Sequence, residues 1–197
     1  MLDGSVGIKN QKKSMSKLKK IVVLGPESTG KSTLCEALSK AYDTIWCEEY
    51  AREYLSKNGT DYTFDNLLTI AKGQIANEER ATKKAIEQNK SHLIIDTDMY
   101  VMKVWSEFVF NKCDKFILDE ITKRKYDLYL LCNVDLPWVK DELREYPELE
   151  TREKLFHIYK NILVNQATPW SLIRGSNEER LIKAIRAVED KILHPPY

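Results

Sequence analysis

Apolar residues gather in five short runs along the chain, at residues 21–24 (Ile-Val-Val-Leu), 44–48, 92–96, 127–132 and 170–174. Each run has the length of a β-strand and stands between polar segments. The spacing between them is helical. Residues 64–90 place Phe64, Leu67, Leu68, Ala71 and Ile75 on one side. Residues 104–110 read as a further helix. Leu155, Phe156, Tyr159, Ile162 and Leu163 recur at i, i+1, i+4, i+7 and i+8. A last helix is predicted from Asn177, with Glu178 and Glu179 suiting its positive first turn. Its buried stripe would be Leu181, Ile182, Ile185, Val188 and Ile192, and Pro195-Pro196 would end it. Strand and helix alternate throughout, which predicts an α/β domain with a parallel sheet covered on both faces. The chain shows no internal repeat and no interdomain linker. A single domain is expected over residues 19–194, behind a basic, disordered leader at residues 1–18 in which Met15 offers an alternative start.

The turn after the first strand carries the clearest chemistry. Gly25-Pro26-Glu27-Ser28-Thr29-Gly30-Lys31-Ser32 is a complete G-x-x-x-x-G-K-S loop, followed by Thr33 and a helix-like stretch. The glycines let the backbone wrap an anion so that N–H groups point at phosphate oxygens. The helix adds its positive end. Lys31 is then expected to reach the β/γ-phosphates and Ser32 a magnesium ion.

Ligands of parallel α/β sheets collect at the carboxyl ends of the strands, so residues that follow strands are the next candidates. Asp96 closes the third run in the manner of a carboxylate that orients Mg²⁺, and Asp98 follows it. After the second run come Glu49 and Arg52. The charged segment 137–153, after the fourth run, supplies Arg144 and Arg152 as candidate lid cations. Gly175, after the fifth, is expected beside the nucleotide base. Asn111-Lys112-Cys113-Asp114 matches a guanine-recognition signature. It follows a helix-like rather than a strand-like stretch and has no D-x-x-G partner, so it is read as accidental.

Composition narrows the setting. Net charge is +1, distributed as +5 over residues 1–20 and −4 over the rest. A basic tail can touch nucleic acid or anionic lipid, but this one lacks apolar periodicity, so an unstructured leader with no nucleic-acid partner is the expectation. No secretory signal opens the chain and no apolar run is long enough to span a membrane. Cys35, Cys47, Cys113 and Cys132 form no C-x-x-C pair, and His92, His157 and His194 have no ligand spacing. Reduced, mostly buried thiols and a cytoplasmic location are the expectation.

Four motifs together resemble one family. The phosphate loop, Glu49-Tyr50-Ala51-Arg52-Glu53, Asp96-Thr97-Asp98, and Pro137-Trp138-Val139 leading to Asp141 and Arg144 are similar to the ribosylnicotinamide kinase domain of NadR-type proteins. The resemblance runs over nearly all of the chain after residue 18. It implies a P-loop kinase fold with a five-stranded parallel sheet in the order 2-3-1-4-5. It also implies ATP and Mg²⁺ as cofactors, a small-molecule nucleoside acceptor, and phosphorylation of the 5′-hydroxyl of nicotinamide riboside. In that scheme Lys31 and Ser32 hold the phosphates, Asp96 the metal, and Glu49 or Asp98 the acceptor hydroxyl. Arg52 holds the acceptor, and Arg144 and Arg152 close over the transferred group. The chain departs from the family in two places. Glu48 stands where an aromatic residue often precedes the first glutamate, and Asp141-Glu142-Leu143-Arg144 replaces the usual Asp-Gly-x-Arg. A kinase for another nucleoside therefore stays open, as does a nucleotide-dependent switch or lipid-binding regulator. Oligomeric state is left open.

Overall fold

The computed structural model describes residues 17–193. Five strands, β1 (Lys19–Leu24), β2 (Ile45–Cys47), β3 (His92–Asp96), β4 (Leu128–Cys132) and β5 (Trp170–Ile173), form one sheet in the order β2-β3-β1-β4-β5. All pairings are parallel. The expected sheet and strand order are both borne out. The central strands β1, β3 and β4 are buried on both faces, which is why they read as nearly continuous apolar runs.

Among the described residues seven α-helices connect and flank them: α1 (Lys31–Ala41), α2 (Tyr50–Asn58), α3 (Phe64–Glu87), α4 (Met99–Phe110), α5 (Lys115–Lys123), α6 (Leu149–Val164) and α7 (Asn177–Val188). Leu34, Cys35 and Leu38 of α1 pack with Ala184, Ala187 and Val188 of α7 against one face of the sheet. Val101 and Val104 of α4 pack with Leu155, Phe156, Tyr159 and Leu163 of α6 against the other. A third cluster joins α2, α3, α4 and α5 around Leu55, Ile70, Met102 and Ile117.

Several boundaries move from the sequence reading. Strand β2 is shorter than the run 44–48, because Glu48 turns out to solvent and Thr44 donates its hydroxyl to the carbonyl of His92 instead of joining the ladder. Helix α3 stops at Glu87, and Asn89 turns the chain with φ 53°. The stripe of α7 is also corrected. Ile182 is 44 % exposed, and Ala184 and Ala187 join Val188 in the core; Leu181, Ile185 and Ile192 pack against that core as expected, Ile192 from a π-helical turn, Glu189–Leu193. The terminal prolines, His194 and most of the leader lie outside the described residues. All four cysteines are free thiols; Cys113 is half-buried and the other three are buried. Among the described residues no helix is long and apolar enough to cross a membrane.

Candidate active site

The phosphate loop spans the carboxyl end of β1 and the start of α1. Gly25 has φ 147°, and a Cβ there would lie 2.7 Å from the carbonyl oxygen of Cys132, so the loop passes close against β4. Gly30 takes a left-handed conformation (φ 75°) and caps α1. Lys31 turns back to donate to the carbonyl of Pro26 at 3.0 Å, and Thr29 donates to the same carbonyl at 2.7 Å.

A residue with no motif to mark it holds this loop from α7. Arg180 of α7 is 1 % exposed. It donates to the carbonyls of Thr29 (2.8 Å), Asn133 (3.0 Å) and Gly175 (2.8 Å), and to the carboxylate of Asp135. One guanidinium thus ties the phosphate loop to the ends of β4 and β5, using the planar fork that arginine alone presents. Its only sequence signal is a charge within a helix, which usually means a solvated face.

Acidic groups meet beside the loop. Ser32 donates to Oδ2 of Asp96 at 2.5 Å. The other carboxylate oxygen of Asp96 is buried with no hydrogen-bond partner among the described residues. Burial, then the nearby charge of Glu49, pushes the Asp96 carboxyl up to about 7, against the pull of Lys31. Glu49 ends the β2 connection as the residue before α2 and lines the same cavity as Lys31 and Ser32. Gln74, a second residue that sequence reading missed, joins the start of α2 to the end of β3. This buried side chain on α3 accepts from the backbone N–H of Tyr50 at 2.7 Å and donates to the carbonyls of Asp96 and Thr97, each at 3.2 Å. The unpartnered carboxylate oxygen beside a serine hydroxyl is a hard, anionic donor set. It fits a cation such as Mg²⁺ that takes its remaining ligands from water and phosphate.

Asp98 is placed differently from the expectation of a reacting carboxylate. It is 3 % exposed and caps α4, accepting from the N–H of Tyr100 at 3.0 Å and from the hydroxyl of Tyr129 at 3.0 Å. Both its oxygens are engaged inside the protein, and its side chain does not line the cavity. Burial pushes its carboxyl up to about 7. Gly175 likewise stands behind the loop, its N–H donated to Asp135 at 2.7 Å. Asn111 closes α4 in a left-handed conformation and Asp114 caps α5, so the guanine-like tetrapeptide is two helix ends.

Residues 134–148 cross over the loop without regular structure. The hydroxyl of Ser28 accepts from the N–H of Val139 at 3.0 Å. Arg52 pairs with Asp141 at 2.9 Å, not with Glu49, and Arg144 donates to the carbonyl of Val139. Arg52, Asp141 and Arg144 all line the cavity, which encloses about 370 Å³. Its far wall is apolar and aromatic, with Trp105 and Phe108 from α4 and Tyr159 from α6. Arg152, in the first turn of α6, is 4 % exposed, and its Nε and one terminal nitrogen have no partner among the described residues. The structure thus brings together the loop, Asp96, Glu49, Arg52 and Arg144. It sets Arg152 on the α6 face that carries Leu155 and Tyr159 to the cavity.

Known proteins resemble this chain in sequence and in fold. The trifunctional NAD biosynthesis/regulator protein NadR of Escherichia coli (strain K12) is 29 % identical over 175 residues, 86 % of this chain and 41 % of that protein. The chain thus spans less than half the length of this relative. Among solved structures, a NadR protein in complex with NR superposes with a TM-score of 0.71 at 21 % identity, over 91 % of this chain and 52 % of that one. Thymidylate kinase from Ehrlichia chaffeensis superposes with a TM-score of 0.63 at 14 % identity, over 87 % and 98 %. A sequence profile described as an AAA domain matches residues 20–180, from β1 through the phosphate loop to Arg180. The chain belongs to this AAA-domain family, and within it the resemblance to NadR-type P-loop kinase domains read from the four motifs is borne out.

Proposed function

We propose that the protein is an ATP-dependent kinase that phosphorylates the 5′-hydroxyl of nicotinamide riboside. The observation that carries this reading is that Glu49 lines one cavity with Lys31, Ser32, Arg52 and Arg144, while its charge acts on the buried Asp96 carboxylate bonded to Ser32. A nucleotide-binding switch needs the loop and a metal carboxylate. It has no use for a second carboxylate and two further cations facing an apolar chamber.

The residues divide the work. The loop N–H groups and the N-terminus of α1 bind the phosphate chain, and Lys31 leaves Pro26 to meet the β/γ-phosphates. Ser32 and Asp96 would hold Mg²⁺, which when bound neutralises charge on the phosphate oxygens. Glu49 accepts a hydrogen bond from the acceptor hydroxyl, orients it in line with the γ-phosphorus and takes its proton as the new O–P bond forms. The bond to the bridging oxygen breaks and ADP leaves with the electron pair. Arg144 and Arg152 offset charge on the migrating group, and Arg52 holds the acceptor. Asp98 carries the helix that forms the far wall.

A second reading, a kinase for another nucleoside, is favoured by one feature. Glu48 is exposed where the family often has an aromatic residue, while aromatic surface is supplied from α4 by Trp105 and Phe108. Incubation with ATP and Mg²⁺, with nicotinamide riboside and each common nucleoside in turn, tests both. A 5′-monophosphate of nicotinamide riboside is expected. Product from another nucleoside alone supports the second reading. No acceptor-dependent turnover with any of them overturns both in favour of a binding or switching protein.

A further inference from the structure

The second variable position of the phosphate loop holds an acid, Glu27, where bound phosphates would repel one. Its carboxylate does not project at the phosphate site unpaired. It accepts two successive backbone N–H groups from the crossing segment, that of Glu145 at 3.0 Å and that of Tyr146 at 2.6 Å. Both are charge-assisted bonds, about twice as strong as neutral ones.

The two residues so held build one wall of the cavity. The Tyr146 ring meets Phe108 of α4 edge-on, with centroids 5.5 Å apart and planes at 86°. The Glu145 carboxylate accepts from the hydroxyl of Tyr62 at 2.8 Å, and that hydroxyl accepts from Nε1–H of Trp105 at 2.7 Å. Glu27, Trp105, Phe108, Glu145 and Tyr146 all line the chamber. A continuous set of bonds and ring contacts therefore runs from the phosphate loop, through residues 145–146, to the α4 face on which an acceptor ring would rest.

We propose that Glu27 is a positioning residue that links the phosphate loop to the acceptor chamber. By fixing residues 145–146 it keeps the chamber closed on the side of α4 and in register with the phosphoryl donor. This rests on the reading of the chamber as the acceptor site. Glu27 acts through the backbone N–H groups of residues 145 and 146, which occupy its carboxylate. Its loss should loosen acceptor binding while leaving the loop N–H groups free to bind ATP.

Amide hydrogen exchange on the full chain, without ligand, tests the link directly. In Glu27→Ala the amides of Glu145 and Tyr146 should exchange at least about tenfold faster than in the wild type, since each loses the carboxylate oxygen that accepts it. Equal rates overturn the proposal whatever the acceptor is. Steady-state kinetics, with whichever nucleoside the wild type phosphorylates, form the second arm. The acceptor KM should rise about tenfold or more, with the ATP dissociation constant changed by less than about threefold. A parallel loss of ATP affinity would make Glu27 a phosphate-loop residue only and overturn it. Glu27→Gln keeps the shape but turns an NH₂ group toward one of the two N–H donors, and intermediate values of both readouts are expected; wild-type values overturn the link. Should Glu27→Ala fail to fold, Glu27→Gln carries the same two measurements. If the wild type phosphorylates no nucleoside, the proposed function fails, while the exchange rates still decide the role of Glu27.

Discussion

Glu49 and Asp98 are both carboxylates placed just after a strand, and only their surroundings separate them. Asp98 spends one oxygen on the N–H of Tyr100 and the other on the hydroxyl of Tyr129. Glu49 faces the cavity and makes no ion pair with Arg52, which is engaged by Asp141. Glu49→Gln is therefore expected to lower kcat by about 10²–10⁴, the range of a positioned general base, with ATP affinity unchanged. Asp98→Asn should leave kcat close to wild type, because an amide can still accept from Tyr100 and donate to Tyr129. Steady-state kinetics on the two variants decides the assignment, and the opposite ranking would return the base role to Asp98. The phosphate loop was legible in the sequence because its ligand groups are contiguous and its spacing is set by anion geometry. Asp98 was ambiguous because the hydroxyl that occupies it comes from Tyr129, on a different strand.

At the scale of elements, strands and most helices could be read from periodicity, since each period reports which face is buried. Their mutual seating could not. Gly73, inside α3, gave no signal beyond a weak helix. The ring of Tyr50 lies so close that a Cβ on Gly73 would stand 2.0 Å from it. Gly73→Ala should push Tyr50 and the start of α2 outward, costing about 1–3 kcal/mol as overpacking does. It should also lower kcat by displacing the neighbouring Glu49. Denaturant unfolding and kinetics on this one variant check both effects, and a stable, fully active protein would show that α2 is not seated by that contact. The first residue of β3 gives a pH signature. Burial holds the His92 imidazole below its usual value; the Asp127 charge opposes this and Lys19 reinforces it. The folded protein then binds this proton less readily than the unfolded chain. The stability this contributes is complete above the unfolded value of about 6.5 and is lost as pH falls below it. His92→Phe keeps a ring against Tyr42, whose centroid lies 4.8 Å from that of His92, and removes the proton site. The difference in unfolding free energy between variant and wild type should grow in the variant's favour as pH falls from 7 to 5, and a constant difference would refute the assignment.

Over the whole molecule, the site is assembled from the ends of β1, β2 and β3, the crossing segment 134–148 and the first turns of α6, with α7 bracing the loop through Arg180. The strand order followed from the family resemblance, but the closure of the crossing segment over the loop did not, since it depends on bonds such as Glu27 to Tyr146 across more than a hundred residues. Arg152 is where this assembly is least satisfied. A guanidinium that is 4 % exposed, with two nitrogens unpartnered among the described residues, carries a desolvation cost that an arriving phosphoryl group would offset. Arg152→Met preserves the length of the side chain and removes the charge. Replacing an unsatisfied buried charge by an apolar chain of similar volume removes that desolvation cost. The ligand-free variant should thus melt no lower than the wild type, while phosphoryl transfer falls by at least about 100-fold, as for loss of an electrostatic stabiliser. Bound ATP and Mg²⁺ should also raise its melting temperature less than they raise that of the wild type, because binding free energy adds to stability. Thermal unfolding with and without nucleotide, beside a turnover assay, reads all three quantities. A variant that melts lower and still transfers phosphate would make Arg152 a structural cation of α6, leaving Arg144 to act alone over the migrating group.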